Sequence, residues 1–205
     1  MWYILAVRSA ALCFVVLFVV GAAAQEIPRD TSIPTFGTTV VLSSGLQGEI
    51  YFIRRNTDKF PKLKKRKPVG TIYTTQLNVP TRDFKEGFPG ITNRYEWFAI
   101  DYTGKFWIED AGVYRFSLMA DDGAKLYIDD KLVIDNGGVH PVATVSGKIK
   151  LAVGIHRIRV PYFQGPRYQV ALVLRVARPG EDEYKIFNTN DFKPSSKLDP
   201  WPQPR

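Results

Sequence analysis

Five aspartates fall within residues 120–138 of a chain that is otherwise basic: Asp121, Asp122, Asp129, Asp130 and Asp135. Short apolar runs separate them, Ala124 to Ile128 and Leu132 to Ile134. Acidic pairs at strand ends serve two purposes in β-proteins. They make tight turns, because Asp tolerates turn geometry and hydrogen-bonds its own backbone. They also hold calcium, a hard cation that takes six to eight oxygen ligands at about 2.3–2.6 Å. Asp121-Asp122-Gly123 is open to both readings. In a strand, consecutive side chains point to opposite faces, so two adjacent carboxylates serve one ion only if the backbone departs from strand geometry. The alternative is a plain hairpin turn at Gly123. Asp129-Asp130, between Ile128 and Lys131, reads as hairpin-turn chemistry. Asp135-Asn136-Gly137-Gly138 is turn-like, in a loop able to approach a ligand. None of these segments has EF-hand spacing.

The second chemical feature is cationic. Residues 59–68 hold Lys59, Lys62, Lys64, Lys65, Arg66 and Lys67 and no acid. Pro61 and Pro68 bound this centre, so it reads as an exposed loop. It is either a solvated surface or a patch for polyanions such as anionic polysaccharide or lipopolysaccharide. Nucleic acid is the least favoured partner, given the secretory signal described below. Catalysis finds no support. His140 and His156 make no zinc motif, and His156 sits in an alternating strand as a structural residue. There is no nucleophile elbow of the G-x-S-x-G type. Nothing selects a carboxyl pair for glycoside hydrolysis from the 20 acids. The chain reads as non-enzymatic.

Those residues need a scaffold, and the pattern predicts strands. Tyr114, Phe116 and Leu118 alternate with Arg115, Ser117 and Met119. Ile155 to Val160 alternates again. Val170, Leu172, Leu174 and Val176 share a face. Residues 40–53, 69–79 and 145–151 are strand-like. Residues 80–93 read as a long loop, with Gly87, Pro89 and Gly90. The runs 95–101 and 105–108 flank Tyr102-Thr103-Gly104 as a hairpin. No helix is predicted from residue 25 onward. Many short strands with Gly, Pro and Asp turns indicate an all-β protein, an antiparallel sandwich or barrel. Trp97 and Trp107 are assigned to the core rather than to sugar stacking.

At this point the order of three segments resembles the PA14 domain family. The first is 111–129, including Tyr114-Arg115-Phe116-Ser117-Leu118-Met119-Ala120-Asp121-Asp122-Gly123. The second is Gly154-Ile155-His156-Arg157-Ile158-Arg159-Val160. The third is Pro161-Tyr162-Phe163-Gln164-Gly165-Pro166 with the strand after it. The resemblance implies an antiparallel β-sandwich and a surface-associated binding module for glycan or polysaccharide. In calcium-dependent members a cis peptide joins the two aspartates. This implies metal ligation by Asp121 and Asp122, with Gln164 and Gly165 closing the site through their backbone. Tyr162, Phe163, Gln164 and Arg167 then join the aspartates as ligand-binding residues. The chain departs from the family pattern at Pro166 and Arg167, where those lectins carry Asn or Asp. A guanidinium there is able to pair with the carboxylates and replace the metal.

The chain has 205 residues and a formal net charge of +8. In residues 1–24 Arg8 is the only charge. An apolar run from Ala10 to Val20 leads to Ala22-Ala23-Ala24, which reads as a cleaved secretory signal. Cys13, the single cysteine, lies inside it. The expected mature protein has no cysteine, hence no disulfide, and no membrane span. Residues 25–39 form a leader, 40–190 the sandwich domain and 191–205 an irregular tail. The expected location is secreted, periplasmic or cell-surface. The expected function is non-catalytic carbohydrate binding, calcium-assisted. The competing reading is a structural or protein-interaction module of the cell envelope with neither sugar nor metal.

Overall fold

The computed structural model describes residues 45–91 and 94–194. The expected signal, the leader, residues 40–44 and the tail beyond 194 lie outside the described residues. Eleven strands follow in chain order: β1 (Gly45–Phe52), β2 (Gly70–Thr74), β3 (Asn78–Asp83), β4 (Phe98–Ile108), β5 (Gly112–Asp121), β6 (Gly123–Ile128), β7 (Lys131–Asn136), β8 (Ala143–Leu151), β9 (Gly154–Gln164), β10 (Gln169–Ala177) and β11 (Lys185–Ile186). One antiparallel sheet has the order β2-β1-β4-β9-β6-β7; the other has β11-β10-β5-β8, with β3 also paired to β10. Among the described residues the only helical pieces are two 3-10 turns, and no helix is long and apolar enough to cross a membrane.

The inner faces obey the predicted period of two. Tyr114, Phe116 and Leu118 are buried against Phe98, Ile100 and Phe106 of the facing sheet. β10 alternates less cleanly because both of its faces are buried: Ala171 and Val173 are covered as fully as Leu172 and Leu174. Phe187 and Phe192 stack on one another and meet Phe106 edge-on. Core packing therefore runs to Phe192, two residues beyond the expected domain end.

Three expected elements differ. The hairpin at Tyr102-Thr103-Gly104 does not form; β4 runs straight through it, paired to β1 and β9. Gly104 is needed for close approach, not for a turn, since a Cβ there would stand 2.5 Å from the Gly45 carbonyl oxygen. The loop expected from Pro80 begins later, because Pro80 lies inside β3. The β3–β10 register shifts between Val170 and Leu172, and a bulge on a peripheral strand tolerates a residue with no N–H. Lastly, β9 does not stop at Val160. It continues through Pro161 to Gln164, while its ladder to β6 is interrupted between Arg159 and Tyr162, where Pro161 has no donor to give.

Residues 53–69 connect β1 to β2 and carry the basic run. Leu63 is buried, and with Phe60 it packs on Tyr51, Ala99, Trp97 and Phe163. This second apolar cluster lies on the face of the six-stranded sheet opposite the main core. The loop is therefore clamped to the sheet while its cations stay exposed.

Candidate functional site

The chain leaves the second sheet at Asp121, the last residue of β5, and enters the first at Gly123, the first of β6. Asp121-Asp122 thus spans the two sheets and is not a hairpin turn. Its peptide is cis. Gly123 has no positive φ; its role is close packing. A Cβ there would meet the Phe163 ring at 2.4 Å and the Gly138 carbonyl oxygen at 2.8 Å. Gly123 therefore lets loop 137–142, between β7 and β8, settle against the crossing.

Two loops close on the carboxylates. From the β7–β8 side, the His140 backbone N–H donates to Asp122 Oδ1 at 3.1 Å. From the β9–β10 side, the Gly165 N–H donates to Asp122 Oδ2 at 2.7 Å, and Gln164 Nε2 lies 3.4 Å from the same oxygen. Gln164 also donates to the Gln169 carbonyl at 3.1 Å. Its Oε1 faces the Tyr162 hydroxyl at 2.6 Å, and that hydroxyl stands 2.7 Å from the Asp121 carbonyl oxygen. A phenol has one proton, so these two acceptors share it.

Both carboxylates are withdrawn from water, Asp121 at 7 % and Asp122 at 3 % exposure. Burial, and then the neighbouring Asp122 charge, pushes Asp121 up to about 6; Gln164, His140 and the Val142 backbone pull the other way. Burial also raises Asp122, opposed by the Gly165 and His140 N–H groups. Burial and the same two acids raise the Tyr162 hydroxyl well above its ordinary value.

Arg167 does not neutralise the pair. Its guanidinium sits 3.5 Å from Glu96 and over the Phe84 ring. Of the two alternatives the sequence left open, closure of the site by Arg167 is not the one formed; its guanidinium pairs with Glu96 instead. Tyr162 and Phe163 were expected among the ligand-binding residues. Both rings are fully buried, because β9 extends through them, so neither can stack on a ligand. The exposed aromatic of this region is Tyr168, at 82 %, next to Arg167 in the β9–β10 loop; the sequence reading passed over it. It also missed His140 and Val142, whose backbone contacts depend on how loop 137–142 folds back. Gln164 and Gly165 do reach the carboxylates, but with N–H groups, which hold a carboxylate and do not ligate a cation.

The donor chemistry fits a hard divalent cation. Among the described residues the two crowded, buried carboxylates form no ion pair with a Lys or Arg, and each oxygen of Asp122 accepts from the main chain while retaining a further lone pair. Among the described residues no cluster of three His, Cys, Asp or Glu side chains is present. Further ligands would thus be carbonyls, water or hydroxyls of a bound molecule. Asp121 and Asp122 would hold the ion; its positive charge would offset theirs and polarise ligand hydroxyls.

The remaining acidic turn is structural. Asp129 and Asp130 both have positive φ, 49° and 64°, as a two-residue hairpin turn requires. Asp129 accepts from the Arg157 N–H at 2.9 Å and meets His156 Nδ1 at 2.6 Å. His156 Nε2 faces the Ala152 carbonyl at 2.9 Å.

The fold of two antiparallel sheets is shared with known structures. The chain is similar to an anti-sigma factor domain-containing protein, with 23% identity over 78% of this chain and a TM-score of 0.58; it spans about half, 51%, of that protein's length. It is similar to a PA14 sugar-binding domain from an RTX adhesin, with 19% identity, 72% of this chain, 97% of that one and a TM-score of 0.58. It is also similar to the epithelial adhesin 9 A domain from Candida glabrata in complex with Galβ1-3GlcNAc, with 14% identity, 73% of this chain, 88% of that one and a TM-score of 0.53. These likenesses show the fold. Among curated proteins none matches by sequence. The family model described as the PA14 domain matches residues 42–190, which span β1 to β11, the aspartate crossing and both loops that close on it, and the chain therefore belongs to the PA14 domain family.

Proposed function

We propose that this chain is a non-catalytic carbohydrate-binding module acting outside the cytoplasm, with calcium as the implied cation. The observation that carries the reading is the buried Asp121–Asp122 pair, set where three segments converge and, among the described residues, in no ion pair with a Lys or Arg. Such a site suits an ion that links protein carboxylates to vicinal hydroxyls of a sugar. Two of the similar structures support it, one titled a sugar-binding domain and the other held in complex with a disaccharide. Tyr168, exposed beside the site, offers a ring face to a sugar. Secretion rests on the apolar N-terminal run and stays part of the proposal.

The test is calorimetric titration with calcium, then with Galβ1-3GlcNAc and simple monosaccharides in its presence. Calcium binding abolished by Asp122→Asn, with sugar heat seen only when calcium is present, is expected. Absence of both heats in the folded wild type would overturn the reading. A second reading draws on one specific observation. Asp122 already accepts from His140 and Gly165 and so cross-ties two loops with no ligand at all. On that basis the pair is an internal brace of a structural or protein-interaction module, and calcium leaves stability unchanged.

A further inference from the structure

The charge of this chain is concentrated in one loop. Residues 54–67 contain eight cations against the single acid Asp58, a net of +7 within a chain whose total is +8. The cations are not on a loose tail. Leu63 and Phe60 are inserted in the apolar cluster on the sheet, with Phe60 edge-on to Phe163 at 5.3 Å. The Arg66 N–H donates to the Leu63 carbonyl at 2.8 Å, so Lys64 and Lys65 occupy the tip of a closed turn. Lys59, Lys62, Lys64, Lys65, Arg66 and Lys67 are all exposed, and among the described residues no acid forms an ion pair with any of them.

The loop also overhangs the sheet. Between them lies a groove of about 750 Å³ with Lys62, Lys64 and Lys65 on the loop side and Asp101 and Arg159 as its floor. The floor is neutral, because Arg159 binds Asp101 through two nitrogens at 2.8 and 2.9 Å. Arg159 also borders a second recess of about 400 Å³ lined by Gln47, Thr103, Lys105 and the Arg157–Asp130 ion pair. Three lysines that form no ion pair among the described residues thus stand over a floor whose only charges, Asp101 and Arg159, neutralise each other.

We propose that this groove binds an anionic polysaccharide, one whose repeating carboxylate or sulfate groups meet Lys62, Lys64 and Lys65. The proposal rests on the carbohydrate reading above but uses different residues. Two competing partners fit less well. A membrane surface calls for apolar side chains that insert, and the loop's Phe60 and Leu63 are turned inward. A single nucleic-acid strand calls for aromatic platforms, and the one ring in the recess, Tyr127, has the Arg159 guanidinium over it. A clamped loop also loses little conformational freedom when it binds.

The experiment measures binding of the whole chain to polygalacturonate and to dextran sulfate, with uncharged dextran, single-stranded DNA and anionic phospholipid vesicles alongside. Wild type should bind at least one of the two anionic polysaccharides, more tightly than it binds DNA or vesicles, and should ignore dextran. The two arms separate carboxylate from sulfate recognition. Affinity should fall steeply from low salt to physiological ionic strength, where screening shortens to about 8 Å. The triple substitution Lys62→Gln, Lys64→Gln, Lys65→Gln alters exposed side chains only and should lower affinity about tenfold or more with an unchanged melting temperature. Asp122→Asn should leave polyanion binding intact, so loss of the calcium site and loss of the groove are read separately. Unchanged binding by the triple variant, or DNA or vesicles bound as tightly as either polysaccharide, overturns the proposal.

Discussion

Replacing Asp121 with Asn should stabilise the protein in the absence of divalent cations, an uncommon outcome for a buried polar position. Asp121 is held at about 6 against an ordinary 3.8, by burial first and by the Asp122 charge second. At neutral pH that difference corresponds to about 3 kcal/mol against the charged, folded form. The variant also loses the charge-assisted share of the contacts with Gln164 and the Val142 backbone. That loss reduces the expected gain to about 2 kcal/mol. The pH profile follows from the sign. The folded chain holds this proton more tightly than the unfolded chain. Asp121's contribution is therefore fully present below pH 3.8 and is lost as pH rises through about 6. Urea unfolding in chelator from pH 4 to 7.5 should show wild type and Asp121→Asn converging at pH 4 and the variant ahead by about 2 kcal/mol at 7.5. In thermal scans the gap at pH 7.5 is about 4–8 °C for a chain of this size. Calcium at 100 times its dissociation constant would add about 2.7 kcal/mol to wild type alone and cancel the variant's lead. A variant less stable than wild type at pH 7.5 in chelator, or a difference independent of pH, refutes the argument that the paired charges are uncompensated.

Three other outcomes are expected. Gly104→Ala places a methyl 2.5 Å from the Gly45 carbonyl oxygen and should cost about 1–3 kcal/mol by overpacking, read by urea unfolding; a neutral result would mean β1 and β4 are free to separate. Leu63→Ala should cost about 2–3 kcal/mol and release the loop, so that trypsin cuts at residues 64–67 while the sandwich remains folded; unchanged cleavage would show that Leu63 does not clamp it. Asp129 lies below its ordinary value: burial would raise it, but the His156 and Arg157 contacts outweigh that. Its contribution holds above pH 3.8 and fades as acid protonates it, so Asp129→Asn should lower the melting temperature at pH 7 and converge with wild type in strong acid.

The sandwich was legible because alternation is local. Tyr114, Phe116 and Leu118 announce one inner face by themselves, and the flanking Asp and Gly residues mark where strands end. The aspartate pair could be singled out, because two adjacent aspartates before a glycine are hard to accommodate in an ordinary ladder, but its place as a crossing between the sheets was not read: a hairpin turn and an ion site both stayed open. Strand continuation was not legible. Gly104 and Pro161 are turn residues by local chemistry, and only pairing with β1 and β9, or with β4, carries the chain through them. The sequence spacing between these partners is large, so no window contains the signal. The misplacement of Tyr162 and Phe163 follows from that single error, since a ring assigned to a loop is free and the same ring in a central strand is buried.

The basic loop shows a second kind of illegibility. Its charge is obvious, and charge alone suggests a solvated, mobile segment. What the sequence hides is that Phe60 and Leu63 are anchors. They interrupt the lysines at 60 and 63, and three-residue spacing in a loop has no periodic meaning until a surface exists to receive both side chains. That surface is the outer face of β1, β4 and β9, which carries Tyr51, Ala99 and Phe163 where exposed polar residues are the rule for a solvated sheet face. The two features explain each other. An apolar patch outside the main core is stable only when covered, and the covering segment can be as charged as its other side chains allow. Phe163 belongs to that patch and packs against Gly123, where the aspartate crossing enters β6. The clamp that fixes the cationic loop thus shares a side chain with the wall of the acidic site.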